Sequence, residues 1–243
     1  MSKTILITGG STGIGAATAL YLAAGNRIFL HYNSSGKAAE KVAETVEKQG
    51  GEAFLIQADL SNEAGCEALL KETGTHTDHL DVLLNNAGGL LERQYCRDLQ
   101  WDLMERVFAL NTFSLMKVSA LSIPLLEKGK NPSIVNVSSV AVRHGAPSAT
   151  LYGAAKGAVD TFTRGMAKEL APTIRVNAVA PGVIDTPFHE KVSTPEMMAN
   201  WREGTPLQKN GRAEDIAHAI EFLIENQFTT GETVDVNGGT QMR

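Results

Sequence analysis

The run LYGAAKGAV, Leu151 to Val159, sets a tyrosine and a lysine four residues apart among alanines and glycines. Positions i and i+4 share one face of a helix, so Tyr152 and Lys156 point the same way and the small neighbours leave room for close approach. A free phenol has a pKa near 10, and a cation beside it favours the phenolate. Two unit charges ~4 Å apart at an effective dielectric near 20 interact by about 4 kcal/mol, roughly three pKa units before desolvation is subtracted. The pair therefore predicts a tyrosine brought close to working pH, where it can give and take a proton. Taken alone, such a pair is also an ordinary feature of an amphipathic helix, and the rest of the chain has to decide.

Short β-branched runs alternate with longer helical patterns along the sequence: TILIT, a helix from about Gly13, RIFLHY, a helix from about Lys37, AFLIQA, and a helix from about Glu63. The rhythm continues with DVLLN, a long helix from Trp101 to Leu126, SIVNVS, the Tyr152 helix and IRVNAVA. Helices at about Pro195 to Arg202 and Ala213 to Glu225, then the strand TVDVNG, complete it. This βαβα order predicts one α/β domain, a doubly wound parallel sheet of Rossmann type with helices on both faces. At 243 residues, with 43% apolar residues, the chain is long enough for one such domain with a large core.

Composition narrows the function classes. A formal net charge of −5, without basic runs, argues against nucleic acid as a partner. No apolar run approaches the ~20 residues of a membrane span, and MSKTILITGG enters a strand pattern at once, so a cytoplasmic protein is expected. Cys66 and Cys96 lack metal-ligand spacing and read as free thiols. His76 and His79 in HTDH lack a third ligand and read as solvated side chains, so no metal is expected.

In doubly wound sheets ligands sit beyond the carboxyl ends of the strands, and small polar residues and glycines recur there. TGGSTGIG follows the first strand, ADLS the third, NNAGG the fourth, Ser138 and Ser139 the fifth, and APGVIDT the sixth. Gly9, Gly13 and Gly15 between a strand and a helix suit a tight turn that lets backbone approach a pyrophosphate, and the helix N-terminus adds free N–H groups. No Gly-Lys-Ser/Thr follows, so this is not a P-loop. Asp59 suits either an adenine amino group or the cap of the next helix.

Together these residues resemble the short-chain dehydrogenase/reductase family across the whole chain, notably members that act as 3-oxoacyl-[acyl-carrier-protein] reductases. The resemblance rests on TGGSTGIG, ADL, NNAG at Asn85 to Gly88, Asn111, Ser139, Tyr152 with Lys156, PGVIDT and TGETVDVNGG. It implies a pyrophosphate site at Gly9, Ser11, Thr12, Gly13, Ile14 and Gly15. Asp59 and Leu60 would meet the adenine, and Asn85, Ala87 and Gly88 would floor the adenine-ribose site. Pro181, Gly182, Ile184 and Thr186 would hold the nicotinamide, with Tyr152 and Lys156 also at the cofactor.

The resemblance implies a catalytic tetrad of Asn111, Ser139, Tyr152 and Lys156. A ketone becomes an alcohol when hydride reaches its carbon and a proton its oxygen; Tyr152 would be the acid, Ser139 would donate to the developing oxyanion, and Asn111 would anchor a water linking Lys156 to solvent. The second strand ends in Tyr32, Asn33, Ser34 and Ser35, with Lys37 beyond, where an acidic residue would select NAD. NADP(H) is therefore expected, with NAD possible.

The substrate is read less directly. The stretch from about 187 to 205 suits a substrate lid. Phe188, Met197, Met198 and Trp201 suggest a partly apolar ligand, unless they simply pack the segment, and His144 and His189 are candidate wall residues. A small carbonyl or alcohol, free or carrier-linked, is expected. Alternatives are an NAD-dependent sugar or polyol dehydrogenase and a non-catalytic dinucleotide-binding sensor, against which the intact Ser139, Tyr152 and Lys156 weigh. The long helix, the Tyr152 helix and the last strand resemble elements through which family members build homotetramers.

Overall fold

The computed structural model describes residues 2–242. Strand β1 (Thr4–Ile7) leads through helix α1 (Gly13–Tyr21) to β2 (Arg27–Tyr32), α2 (Gly36–Lys48), β3 (Glu52–Gln57), α3 (Glu63–His76) and β4 (Val82–Asn85). Helices α4 (Trp101–Phe108) and α5 (Ser114–Leu126) follow, then β5 (Ser133–Val137), the short α6 (Ala141–His144), α7 (Thr150–Leu170) and β6 (Arg175–Pro181). Two helices, α8 (Pro187–Glu190) and α9 (Pro195–Gly204), precede α10 (Ala213–Glu225) and β7 (Thr233–Val236). All seven strands are parallel in the order β3-β2-β1-β4-β5-β6-β7. The expected doubly wound α/β sheet is the fold found.

The central strands β1, β4 and β5 are buried along their whole length, which is why they read as continuous apolar runs rather than as alternation. Their alternate side chains feed two cores. Ile5, Ile7, Val82, Leu84 and Val135 pack with Leu22, Val46, Ile216 and Ile220 on the α1, α2 and α10 side. Leu6, Phe29, Leu83, Ile134 and Val176 pack with Leu69, Val118 and Met166 on the α3, α5 and α7 side. Each fully buried aliphatic side chain contributes about 1.5–3 kcal/mol relative to exposure, so this pair of layers fixes where the strand ends lie.

The helix expected from Trp101 to Leu126 is continuous but not regular: a π-helical turn, Ala109–Phe113, joins α4 to α5. At 26 residues, with a stretch of mean hydropathy 1.3, it is also long and apolar enough to cross a membrane by length and composition, although no unbroken apolar run of that length lies in it. It buries Leu103, Val107, Leu115, Val118 and Leu126 against the body of the protein and pairs its half-buried Lys117 with Glu63 and its exposed Arg106 with Asp102. It is a core helix with one polar face. His76 and His79 bond Glu72 and Asp78 respectively.

Polar groups cross this core along one route. Asn85, at the end of β4, is buried and donates from Nδ2 to Ser119 Oγ at 2.8 Å and to Asn136 Oδ1 at 2.9 Å. Asn136 in turn donates to Thr163 Oγ1 at 2.9 Å. The relay joins β4 to α5, β5 and α7. Truncating Asn85 leaves buried partners unpaired, so Asn85→Ala should lower unfolding stability in urea by about 1–3 kcal/mol, with dinucleotide affinity held within about twofold; a loss of affinity without loss of stability would contradict this placement.

Candidate active site

A cavity of about 980 Å³ opens beyond the carboxyl ends of β1, β2, β4, β5 and β6. At one end lies the glycine-rich turn. Gly9 and Gly13 have φ of +65° and +56°, a left-handed conformation that side chains disfavour. A Cβ on Gly15 would stand 2.4 Å from the Gly9 carbonyl oxygen, so only glycine lets α1 pack this closely under the turn. Thr12 at the N-cap makes no side-chain capping bond and the first turn of α1 has no acidic residue, which leaves its leading N–H groups available to a phosphate. These features fit a dinucleotide pyrophosphate.

Side chains that the sequence did not single out brace this turn. Thr8 Oγ1 accepts from the backbone N–H groups of Asn86 and Ala87 at 2.9 and 3.0 Å, and Asn86 Nδ2 donates to the carbonyls of Thr8 and Gly9. Gly9 N–H donates to His31 Nδ1 at 3.1 Å, so the ring carries its proton on Nε2, which donates to Ala58 at 3.0 Å. Burial lowers the His31 pKa and keeps the ring neutral. A buried histidine on a strand that ends at the cavity was the available signal. Asp59 turns back to accept from Ser61 N–H, which lowers its pKa; Asn62, not Asp59, caps α3.

At the centre stand Tyr152, Lys156 and Ser139. Tyr152 and Lys156 share a face of α7, with Lys156 Nζ 5.9 Å from the centroid of the Tyr152 ring. The buried ammonium donates to the Val137 carbonyl at 2.8 Å. Burial pushes the Tyr152 phenol up to about 12, a contact with the Ser139 hydroxyl acting in the opposite direction, and brings Lys156 down to about 8. The expectation that Lys156 draws Tyr152 toward neutral pH meets an opposing effect: burial raises the phenol, and the ammonium donates to a backbone carbonyl. Ser138, next to Ser139, sends its hydroxyl to the Lys156 carbonyl at 3.4 Å.

Asn111 sits in the π turn and is fully buried. It donates to the carbonyls of Gly89 and Val107 and accepts from Gly89 N–H. A Cβ on Gly88 would lie 2.8 Å from Asn111 Oδ1 and 3.1 Å from Lys156 Nζ, so the amide oxygen and the ammonium face one gap that glycine leaves open. At the far end Phe188, His189 and Trp201 form a wall of rings, Phe188 being 6.1 Å from Tyr152 between centroids. Burial and the nearby Arg93 lower the His189 pKa.

Most residues expected at a ligand lie on the cavity wall: Gly9, Ser11, Thr12, Gly13, Ile14, Tyr32 to Ser35, Asp59, Leu60, Ala87, Gly88, Ser139, Tyr152, Lys156, Pro181, Gly182, Ile184 and Thr186, with His144, Phe188, His189 and Trp201. Others stand off it. Asn85 turns into the core and its neighbour Asn86 takes the wall, because successive residues leave a strand on opposite faces. Gly15 and Asn111 lie behind the wall as supports, Lys37 is exposed away from it, and Met197 and Met198 pack half-buried outside it. Arg93 and Leu90 line it unforeseen, since the loop after β4 offers no periodicity to read, and so does Leu110 of the π turn.

A family model described as Enoyl-(Acyl carrier protein) reductase matches residues 9–241. The chain is 37% identical over 250 residues to a 3-oxoacyl-[acyl-carrier-protein] reductase of Synechocystis sp., covering 99% of this chain and 98% of that protein. It superposes on the angucycline C-6 ketoreductase LanV with bound NADP (TM-score 0.90, 30% identity, 99% and 98% coverage). It also superposes on the NADH-dependent reductase A1-R' responsible for alginate metabolism (TM-score 0.91, 29% identity, 100% and 98% coverage). The chain belongs to the short-chain dehydrogenase/reductase family and is an NAD(P)-dependent oxidoreductase of that class.

The state of the phenol can be read directly. In an alkaline titration without cofactor, the wild type minus Tyr152→Phe difference spectrum should show tyrosinate only as pH climbs toward about 12. A midpoint below 10 would mean that attraction by Lys156 prevails over burial.

Proposed function

We propose that the protein transfers hydride between NADP(H) and a ketone or the corresponding secondary alcohol, with Tyr152 as general acid and base. The observation that carries this reading is the grouping of Tyr152, Ser139 and Lys156 on one cavity wall, with Lys156 Nζ 5.9 Å from the centre of the Tyr152 ring and the phenol in contact with the Ser139 hydroxyl. A bound nicotinamide dinucleotide would supply the hydride, its pyrophosphate held at the turn from Gly9 to Gly15. Ser139 donates a hydrogen bond to the substrate oxygen as charge develops there, and Tyr152 gives that oxygen its proton. Lys156 stabilises the phenolate left behind and, with Asn111 across the gap at Gly88, serves the return of the proton.

The preference for NADP(H) over NAD(H) is supported by Tyr32, Asn33, Ser34 and Ser35, all neutral and all on the wall where a carboxylate would repel a 2′-phosphate. Residues 187–205, whose Phe188, His189 and Trp201 face the cavity, act in this reading as the substrate lid. We also propose a cytoplasmic enzyme, in keeping with free Cys66 and Cys96. Its assembly is a homotetramer, in keeping with Trp101 and Phe113 exposed at 73% and 58% along the long helix.

Assay of ketone and alcohol panels with NADPH and NADH tests the chemistry. Reduction should be faster with NADPH, and Tyr152→Phe should lose at least about 10²-fold in turnover while still binding cofactor; near-normal turnover in that variant would refute the mechanism. Light scattering at micromolar concentration should give four times the chain mass of 26.0 kDa, and a monomer mass would refute the assembly.

A further inference from the structure

Arg93 is a half-buried guanidinium on the wall of the cavity. Its Nε donates to the Val192 carbonyl at 2.6 Å, its Nη1 reaches Ser148 Oγ at 3.4 Å, and its Cζ lies 5.6 Å from the centre of the Trp201 ring. Among the described residues no carboxylate pairs with it within 4.0 Å, and its Nη2 makes no hydrogen bond. A guanidinium stays charged even when burial disfavours it, and burial lowers its pKa here without an opposing anion. A desolvated cation without a counter-ion is costly, and a ligand carboxylate would offset that cost.

The position of Arg93 relative to the reacting centre follows from a chain of ring contacts. Tyr152 meets Phe188 at 6.1 Å, Phe188 meets His189 at 5.0 Å, His189 meets Trp201 at 5.7 Å, and Trp201 carries Arg93 on its face. The acid and the guanidinium thus bound one chamber with an aromatic side. Charge along the cavity is uneven. Among the described residues its wall carries one carboxylate, Asp59, in the loop after β3 at the end where the dinucleotide would lie, whereas Arg93 and Lys191 stand with the rings.

We propose that Arg93 binds a carboxylate of the substrate, which makes the substrate a free oxo acid whose ketone reaches Tyr152 and whose apolar carbons lie along Phe188 and Trp201. The fork geometry of a guanidinium suits a carboxylate, and the open Nη2 side supplies charge-assisted donors. The inference rests on the proposed ketone reduction at Tyr152 and names the substrate class of that site. A thioester of a carrier protein has no carboxylate at this point and is the contrasting case.

The test uses matched sets of oxo acids, their methyl esters and their N-acetylcysteamine thioesters, with the ketone two to six carbons from the carboxyl carbon. The readout is the ratio of kcat/KM for acid over ester, because a purely structural tie between the segments of Val192 and Ser148 would weaken both alike. At the best length the wild type should favour the acid by at least about tenfold. Arg93→Gln should bring that ratio to about one, and Arg93→Lys should keep it above one. A ratio near one in the wild type, preference for the thioester, or an unchanged ratio in Arg93→Gln overturns the proposal. Calorimetry of the same acids on NADPH-loaded enzyme separates the two readings. Binding that depends on Arg93 without any turnover would sink the reductase reading and keep the anion site, while acids that neither bind nor react would sink the anion site.

Discussion

The hydrogen bond from Lys156 to the Val137 carbonyl, 2.8 Å long and buried, is the contact on which the site depends. It ties α7 to the end of β5. Because Tyr152 lies one turn before Lys156 and Ser139 lies two residues beyond Val137, the same bond brings phenol and hydroxyl together on the cavity wall. It also decides their electrostatics. Burial brings the ammonium, which donates to a backbone dipole, down to about 8 and pushes the phenol up to about 12. In the proposed reduction, proton transfer to a substrate oxygen would start from a phenol that burial holds protonated, and the developing charge would be met by Ser139 and Lys156.

The opposite end of the cavity is held by small, rigid contacts rather than by charge. Thr8, Asn86 and His31 fix the glycine-rich turn from three strands, so its left-handed backbone has neighbours that define it. His31 is neutral and oriented at both ring nitrogens, by Gly9 N–H and by the Ala58 carbonyl. The turn and the Asp59 loop are thereby positioned by one side chain. Asn111 plays the equivalent part behind Gly88 and Gly89: the π turn swings its amide onto the Gly89 backbone and leaves its oxygen facing Lys156 across a gap that any side chain at position 88 would fill.

Much of this was legible in the residues. The βα rhythm gave the parallel sheet because strands buried on both faces must be apolar throughout, and TGGSTGIG gave the tight turn into α1 because only glycine tolerates its backbone and its close approach to the helix. The i, i+4 spacing placed Tyr152 and Lys156 on one face. What that spacing could not reveal was how much water each group would lose: a Coulomb estimate at fixed separation cannot include that loss, and burial acts on the Tyr152 phenol in the opposite direction.

The sequence alone determined which residue types stand at the strand ends, since local patterns of apolar, small and polar residues specify elements and their order. The tertiary structure decided which of those side chains turn toward the cavity. Asn85 and Asn86 are alike in the chain, yet one pairs with Ser119 and Asn136 in the core and the other braces Gly9. Arg93 belongs to an irregular loop, and only the packing of that loop against Val192 and Trp201 sets its guanidinium among the rings. Orientation, desolvation and contacts between residues about a hundred positions apart arise from packing, and no local pattern encodes them.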